Sequence, residues 1–378
     1  MDFAASPEQE AFRLVVREFA AAEIAPHAEE WDRTHSFPVE TVHKMGELGL
    51  FGLIFPEEYG GAGADLATLC IAIEEIAGVD SSMAITLEAA VGLGANPLHR
   101  FGTEEQKARW LPDLVQGRSL AAFGLTEPDG GSDAGDTRTR AERDGDEWVI
   151  NGAKAFITNS GTEITSLVMV TARTGDGVSV LIVPSGTPGL VVEPAYRKMG
   201  WRASDTHGIL LDDCRIPAGY LLGEEGHGLR QFLSTLDEGR IAVAALSVGL
   251  AAACLSHSVQ YARERSAFGR PIGSNQGVAF PIADVQVALE AARLLTYRAA
   301  WLRDSGQDFR AAAATAKLFA SEAAVDATRI ATQVFGGSGF IDETPVSRFY
   351  RDAKVLEIGE GTSEILRLVI ARNLGLPL

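Results

Sequence analysis

Cysteine is scarce. Only Cys70, Cys214 and Cys254 occur in 378 residues, at spacings that match neither a disulfide framework nor a metal-ligand set, so a reducing cytosol fits best. Basic charge is short as well. The chain carries 33 Lys+Arg against 51 Asp+Glu, a formal net charge of −18, which argues against a general binder of nucleic acid or anionic membrane. Any anionic ligand must therefore meet a local cluster of cations. The start, Met1-Asp2-Phe3-Ala4-Ala5, has no basic stretch followed by an apolar one, and no run of about 18 uncharged apolar residues stands out. The expectation is a cytoplasmic chain with no export signal, transit peptide or membrane span. Common site signatures are missing too. Neither Gly60-Gly61-Ala62-Gly63 nor Gly336-Gly337-Ser338-Gly339 completes a GxGxxG between a strand and a helix, and no P-loop, HExxH, GxSxG or CxxC occurs. The seven histidines form no ligand cluster, so no metal site is expected. Rossmann, metal and serine-hydrolase readings all lose ground.

What is present is the composition of a globular protein, 46% hydrophobic and 22% charged, with a length that suggests two or three domains at about 150 residues each. Apolar residues recur at helical spacing through the first third, as in Phe12, Val15, Val16 and Phe19. Residues 1–118 read as a helical domain. From 119 to 228 the texture changes to short Val-, Ile- and Thr-rich runs at 148–150, 155–158, 166–171, 178–183 and 209–211. Asn151-Gly152 between two of them is a hairpin signal, because both residues tolerate positive φ. This part reads as an antiparallel sheet. Helical period returns over 229–263, 276–305, 310–335, 346–357 and 363–373, so residues 229–378 read as a helical bundle.

Five glycine- and hydroxyl-rich segments stand at the edges of these elements. In Phe123-Gly124-Leu125-Thr126-Glu127-Pro128-Asp129-Gly130-Gly131-Ser132, freed backbone N–H groups and two hydroxyls could hold a phosphate or a polar ring edge; an ordinary surface turn reads the same. Phe156 and Thr158 share a face of a strand by the period of two, which suits the back of a planar heterocycle or plain sheet packing. Arg263, Arg265 and Arg270 bring three guanidinium forks to the end of a long helix, apt for diphosphate oxygens or merely for the helix macrodipole. Gln333 to Gly339 could be a plain C-cap. In Gly359-Glu360-Gly361-Thr362-Ser363, a carboxylate between two glycines precedes a helix capped by Thr362 or Ser363, and could approach a substrate closely as a general base.

Taken together and in this order, these segments resemble the acyl-CoA dehydrogenase family along essentially the whole chain. The resemblance implies an α+β multidomain fold: an N-terminal helical domain, a middle antiparallel β domain and a C-terminal four-helix bundle. It also implies FAD, usually a homotetramer, an acyl-CoA substrate and an electron-transfer flavoprotein as partner. Matched position by position, Phe123, Leu125, Thr126 and Ser132 look like the flavin-contacting loop, and Phe156, Ile157 and Thr158 like the strand behind the isoalloxazine ring. The family commonly has Trp where this chain has Phe156. Arg265, Phe268, Gln276, Gln333, Gly336 and Gly337 resemble the set that reaches the adenine and diphosphate end, partly across a subunit interface. Ala267, where the family often has Gln or Thr, offers no hydrogen bond. Thr362 and Glu364 look like further FAD contacts.

Glu360 matches the catalytic base, which takes the α-proton as the β-hydrogen leaves as hydride to give a trans-2-enoyl thioester. By resemblance the thioester oxygen is held by the backbone N–H of the base residue and a flavin ribityl hydroxyl. Ser132, Asp237, Arg240 and Gly361 match substrate contacts, Asp237 and Arg240 those to the CoA part. Some members carry the base beside the arginine matched by Arg240, but here that neighbour is Gly239, with Glu238 one residue off register. Rival readings are an acyl-CoA oxidase, a dehydrogenase of carrier-protein thioesters, or a non-catalytic helical assembly protein on the same fold.

Overall fold

The computed structural model describes residues 5–175 and 177–377. The first helices are α1 (Pro7–Phe19), α2 (Ala28–Thr34), α3 (Val39–Glu47), α4 (Leu66–Ala77), α5 (Ser81–Glu88), α6 (Asn96–Phe101) and α7 (Glu104–Val115). Their starts are set by side chains. Ser6 with Gln9 and Thr103 with Gln106 form capping boxes on α1 and α7, while Asp65 and Asp80 accept from the amides of Thr68 and Met83 to open α4 and α5. α4 and α5 are apolar on nearly every side and lie buried, with Leu69, Ile73, Met83 and Leu87 in the core. α5 does not stop at Glu88 but continues as a π-helical segment, Ala89–Ala95, a geometry found often at functional sites.

Next come β1 (Leu120–Gly124), β2 (Arg140–Asp144), β3 (Glu147–Thr158), β4 (Thr165–Thr174), β5 (Gly177–Pro184), β6 (Leu190–Val192), β7 (Thr206–Pro217) and β8 (Leu221–Leu222). They form one sheet in the order β6-β7-β3-β2-β4-β5-β8, with β1 added on β4. Two expectations need correction. The sheet is not wholly antiparallel, because β1 runs parallel to β4, as does the short β2–β4 contact. A parallel neighbour needs a long connection, which the 125–139 loop and the β2–β3 hairpin provide. Nor is Asn151-Gly152 a turn, since β3 runs straight through it. A Cβ on Gly152 would lie 2.5 Å from Thr139 Oγ1, so glycine there permits a close strand approach, and Asn151 pairs with Asp213 across the irregular register with β7. The actual hairpin turn lies at Gly145-Asp146, between the paired Asp144 and Glu147, where Gly145 has φ +62.

The last part contains α8 (Gly228–Glu264), the small hairpin β9 (Ser266–Ala267) and β10 (Arg270–Pro271), then α9 (Gln276–Asp304), α10 (Arg310–Phe335), α11 (Pro345–Ala353) and α12 (Ser363–Asn373). The helix expected over 346–357 ends at Ala353 and tightens into a 3₁₀ turn, Lys354–Glu357. By length and composition α8 could cross a membrane, with mean hydropathy 1.8 over 18 residues, yet 78% of that window is buried inside the fold, as in a core helix. α8 packs on α4, α9 and α10. Small residues allow it: a Cβ on Gly249 would come within 2.1 Å of the Glu74 carbonyl, and Ala244, Ala313, Ala316, Ala320 and Ala324 are fully buried. A second core fills the sheet with Trp148, Ile150, Val168, Val170, Leu181, Val183 and Ile216. The three cysteines are free and buried.

Candidate active site

The loop between the 3₁₀ turn and α12 carries Glu360. Its φ is +53 and that of Gly361 is +102, two left-handed residues in succession that bend the chain sharply. A non-glycine residue held there stores strain, as happens often at functional sites. Thr362 then starts α12 by accepting from the Ile365 amide. Nearby, Asp352 accepts 2.7 Å bonds from Ser81 Oγ and the Trp201 N–H, tying α5, the β6–β7 loop and α11 together. The bend sends the Glu360 carboxylate inward, where both oxygens are buried and no N–H or hydroxyl of the described residues donates to them. Across from it lies α8 at Gly239. A Cβ on Gly239 would sit 2.3 Å from Glu360 Oε2, so any side chain there would collide with the carboxylate. Glu238, one residue away, binds Arg100 (3.1 Å), Arg303 (2.9 Å) and Asn96 (3.4 Å) instead.

The sequence reading missed Glu88. This side chain, at the end of α5 where the π segment begins, is fully buried, and no N–H or hydroxyl of the described residues donates to its oxygens either. It faces the same spot: the Cβ that would strike Glu360 would lie 3.3 Å from Glu88 Oε1, and a Cβ on Gly92 would lie 2.8 Å from that atom. Two ionised carboxylates here would leave four buried acceptors unpaired. Burial, and then the adjacent Glu360 charge, push Glu88 well above the usual carboxylate range. Glu88 is thus the protonated partner and hydrogen-bonds to Glu360. Burial also raises Glu360, opposed by that bond and by Lys317 and Arg240. One signal was available: Glu88 is the sole charged residue in 81–98.

Two cations flank the pair. Arg240 Nη1 binds Asp237 Oδ1 at 2.5 Å, and its Nη2 would be 3.8 Å from a Cβ on Gly361. Burial pushes the Asp237 carboxyl up, against the pull of Arg240. Arg240 and Gly361 therefore lie together at the Glu360 loop, with Asp237 bound to Arg240 one turn earlier on α8.

The 123–132 loop leaves the sheet beside α8, where Phe123 stacks on Phe232 with centroids 3.7 Å apart. It is bound to β3 at two points: Ala155 N–H donates to the Thr126 carbonyl, and the buried Lys154 ammonium donates to Glu127 at 2.7 Å. Leu125 and Thr126 are half-buried and Ser132 is exposed. In β3, Phe156 has φ +60 and is 66% exposed against Tyr196, Thr158 is half-buried, and Ile157 points into the sheet core. The Ile157 side chain thus faces away from any ligand on the Phe156 side.

Arg265, Gly336 and Gly337 line a separate cleft of about 500 Å³ at the ends of α8 and α10, with Tyr261, Ile272 and Ser338. Phe268, at the tip of the β9–β10 hairpin, is wholly exposed, and Gln276, Gln333 and Glu364 are exposed as well. The cleft suits the dinucleotide that the sequence implied. The Arg265 guanidinium has no partner among the described residues, and a Cβ on Gly336 or Gly337 would meet nothing within 4 Å, so a free fork faces open backbone. None of its lining residues belongs to the 123–132 loop or to β3.

Residues 6–118, 122–214 and 226–375 match the N-terminal, middle and C-terminal domains of acyl-CoA dehydrogenase. The chain belongs to the acyl-CoA dehydrogenase family. It is 52% identical to the probable acyl-CoA dehydrogenase YngJ of Bacillus subtilis, over 99% of this chain and all of the relative. It is 45% identical to the mouse mitochondrial short-chain specific acyl-CoA dehydrogenase, over 96% of this chain and 89% of that one. Among solved structures, the butyryl-CoA dehydrogenase of Megasphaera elsdenii superposes with TM-score 0.96 at 40% identity, covering 99% and 100% of the two chains. A chain from work on the electron transferring flavoprotein of Acidaminococcus fermentans superposes with TM-score 0.97 at 42% identity, covering 99% of both. A glutaryl-CoA dehydrogenase of Mycobacterium smegmatis, solved with FADH2, gives 0.94 at 31% identity, covering 98% and 95%. The enzyme is therefore an acyl-CoA dehydrogenase, an oxidoreductase with the helical, β-sheet and helical parts of that fold. In this acyl-CoA dehydrogenase the acid nearest the turn of α8 is supplied by the loop before α12, and Gly239 leaves the room for it.

Proposed function

We propose that the protein dehydrogenates short acyl-CoA thioesters with bound FAD, that Glu360 is the base, and that an electron-transfer flavoprotein is the acceptor in the cytoplasm. The observation that carries this reading is the buried Glu360 carboxylate, held by a left-handed turn against the protonated Glu88 and reached by no N–H or hydroxyl donor among the described residues. A carboxylate buried in a water-poor site, with a protonated carboxyl as its neighbour, is a stronger base than one in water, because burial raises it more than that neighbour lowers it. An α-C–H becomes acidic enough only if the thioester oxygen is stabilised as charge develops. The Glu360 N–H, which binds no described residue, is the donor this chain offers. FAD, when bound, would supply the acceptor for the β-hydrogen, which leaves as hydride. Phe123, Leu125, Thr126, Ser132, Phe156 and Thr158 are assigned to its ring, Arg265, Phe268, Gln276, Gln333, Gly336 and Gly337 to its far end, and Thr362 and Glu364 to further contacts. Ser132, Asp237, Arg240 and Gly361 are assigned to the acyl-CoA. Short chains are favoured because the relatives act on them by name and because Glu88 occupies space next to the base.

A homotetramer completes the proposal. Phe280, Val287, Leu294 and Trp301 recur every seven residues along α9 and are 51–70% exposed, an apolar stripe that one further helix would cover. With Phe268 fully exposed beside the Arg265 cleft, a second subunit would close that cleft. Arg265→Ala is expected to lose FAD on gel filtration while its melting temperature in excess FAD stays near that of the parent. Solution mass and flavin per chain check this; a stable monomer with full FAD contradicts it.

Gly359 bears on acyl shape, since several straight-chain family members have tyrosine there. A Cβ on Gly359 would meet only Val355, at 3.5 Å or more, so a larger side chain has room. Gly359→Tyr is expected to reduce kcat/KM for branched acyl-CoAs roughly tenfold to a hundredfold more than for butyryl-CoA, the scale of one or two methylenes in an apolar pocket. Equal losses on both substrates would show that Gly359 serves the backbone.

A further inference from the structure

Lysine is rarely buried without a carboxylate partner, because removing the ammonium from water costs several kcal/mol. Lys317, in the first half of α10, is an exception. It is 0% exposed and takes part in no ion pair among the described residues. Its one hydrogen bond among the described residues, at 2.8 Å, goes to the backbone carbonyl of Gly361, the residue after Glu360. Burial pushes it down to about 8, so it is still mostly cationic at neutral pH. A core position with no other task would be better filled by methionine or leucine.

We infer that Lys317 is a positioning residue for Glu360, holding the Gly361 carbonyl so that the left-handed turn keeps its shape and placing a positive charge beside the carboxylate. This rests on the reading of Glu360 as the base. Two left-handed residues in succession tend to relax toward ordinary backbone, and one charged hydrogen bond on the carbonyl between them and α12 opposes that relaxation. The groups facing Lys317 are Glu360 and Glu357 on the loop side, Glu364 on α12 and Arg240 on α8; Glu360 in turn faces Glu88 on α5. Of these, Lys317 and Arg240 favour the ionised base, and protonated Glu88 supports it by donating to it. Removing the Lys317 charge therefore raises the pH at which Glu360 loses its proton.

The test uses the FAD-loaded enzyme and the rate of flavin bleaching by butyryl-CoA, followed as a function of pH by stopped flow. Lys317→Met is expected to move the acidic limb of the profile up by about one pH unit and to lower the plateau rate roughly tenfold, with FAD content unchanged. Lys317→Gln keeps a donor without the charge. It is expected to move the limb equally while lowering the plateau less, and it carries the test alone if the Met variant does not fold. A folded, FAD-loaded variant whose profile superposes on the parent's overturns the inference. Glu360→Gln run in parallel separates the two claims: if it still bleaches, the base is elsewhere, whereas if it is silent and the Lys317 variants match the parent, only the role of Lys317 falls.

Discussion

Glu360→Gln is expected to bind FAD and acyl-CoA as the parent does but to lose flavin bleaching by at least a thousandfold, within the range seen when a general base is removed. The amide is nearly the same size and its oxygen can accept a bond from the protonated Glu88, so the loop need not move. It cannot accept the α-proton. Glu238→Gln is the natural contrast, because Glu238 is occupied by Arg100 and Arg303 and does not face the Glu360 carboxylate. It is expected to keep its activity and to lose some stability, since two arginines lose their common anion. Rapid-mixing absorbance at the flavin band decides between them; an active Glu360→Gln with an inactive Glu238→Gln would move the base onto α8.

The second large effect concerns the loop assigned to the flavin. Lys154 and Glu127 form an ion pair at 2.7 Å with side chains 0% and 7% exposed, and Glu127 also accepts from the amides of Arg138 (2.7 Å) and Thr139 (3.0 Å). Burial already pushes Lys154 down to about 8. Glu127→Ala strands the ammonium and two amides at once, and should cost about 3–5 kcal/mol of unfolding free energy, as for other buried pairs broken on one side. FAD retention should fall with it, because the 123–132 loop loses its ion pair to β3. Adding Lys154→Met should recover part of the loss, since an apolar pair carries no stranded charge. Chemical denaturation of the three variants measures this; a Glu127→Ala protein as stable as the parent would show that the pair contributes nothing.

The helices were legible because their signals are local. Ser6, Asp65, Asp80 and Thr103 mark starts, and α8 to α10 are long segments rich in apolar and small residues. The sheet was less so. Asn151-Gly152 looks like a turn, but whether it bends depends on Thr139 and Asp213, which lie next to it only after folding. The parallel β1–β4 pairing leaves no mark in either strand. Glu360 drew notice through its glycine neighbours and the helix cap that follows, but only the resemblance of the whole chain to the acyl-CoA dehydrogenase family gave it a role. Glu88 and Lys317 could not be weighted, because their meaning lies in burial and in unpaired oxygens that no spacing reveals; a lone charge in the apolar 81–98 run was the one hint.

The central claim is that this chain, with FAD, removes hydrogen across the α,β bond of an acyl-CoA. Anaerobic titration of the purified holoenzyme with butyryl-CoA tests it most directly, with the flavin band and the acyl products followed together. The account predicts bleaching on mixing and formation of the trans-2-enoyl thioester in step with the flavin reduced, with slow recovery in air and rapid recovery with an electron-transfer flavoprotein. A protein that cannot be loaded with FAD, or a loaded one that stays yellow with every saturated acyl-CoA offered, would contradict it.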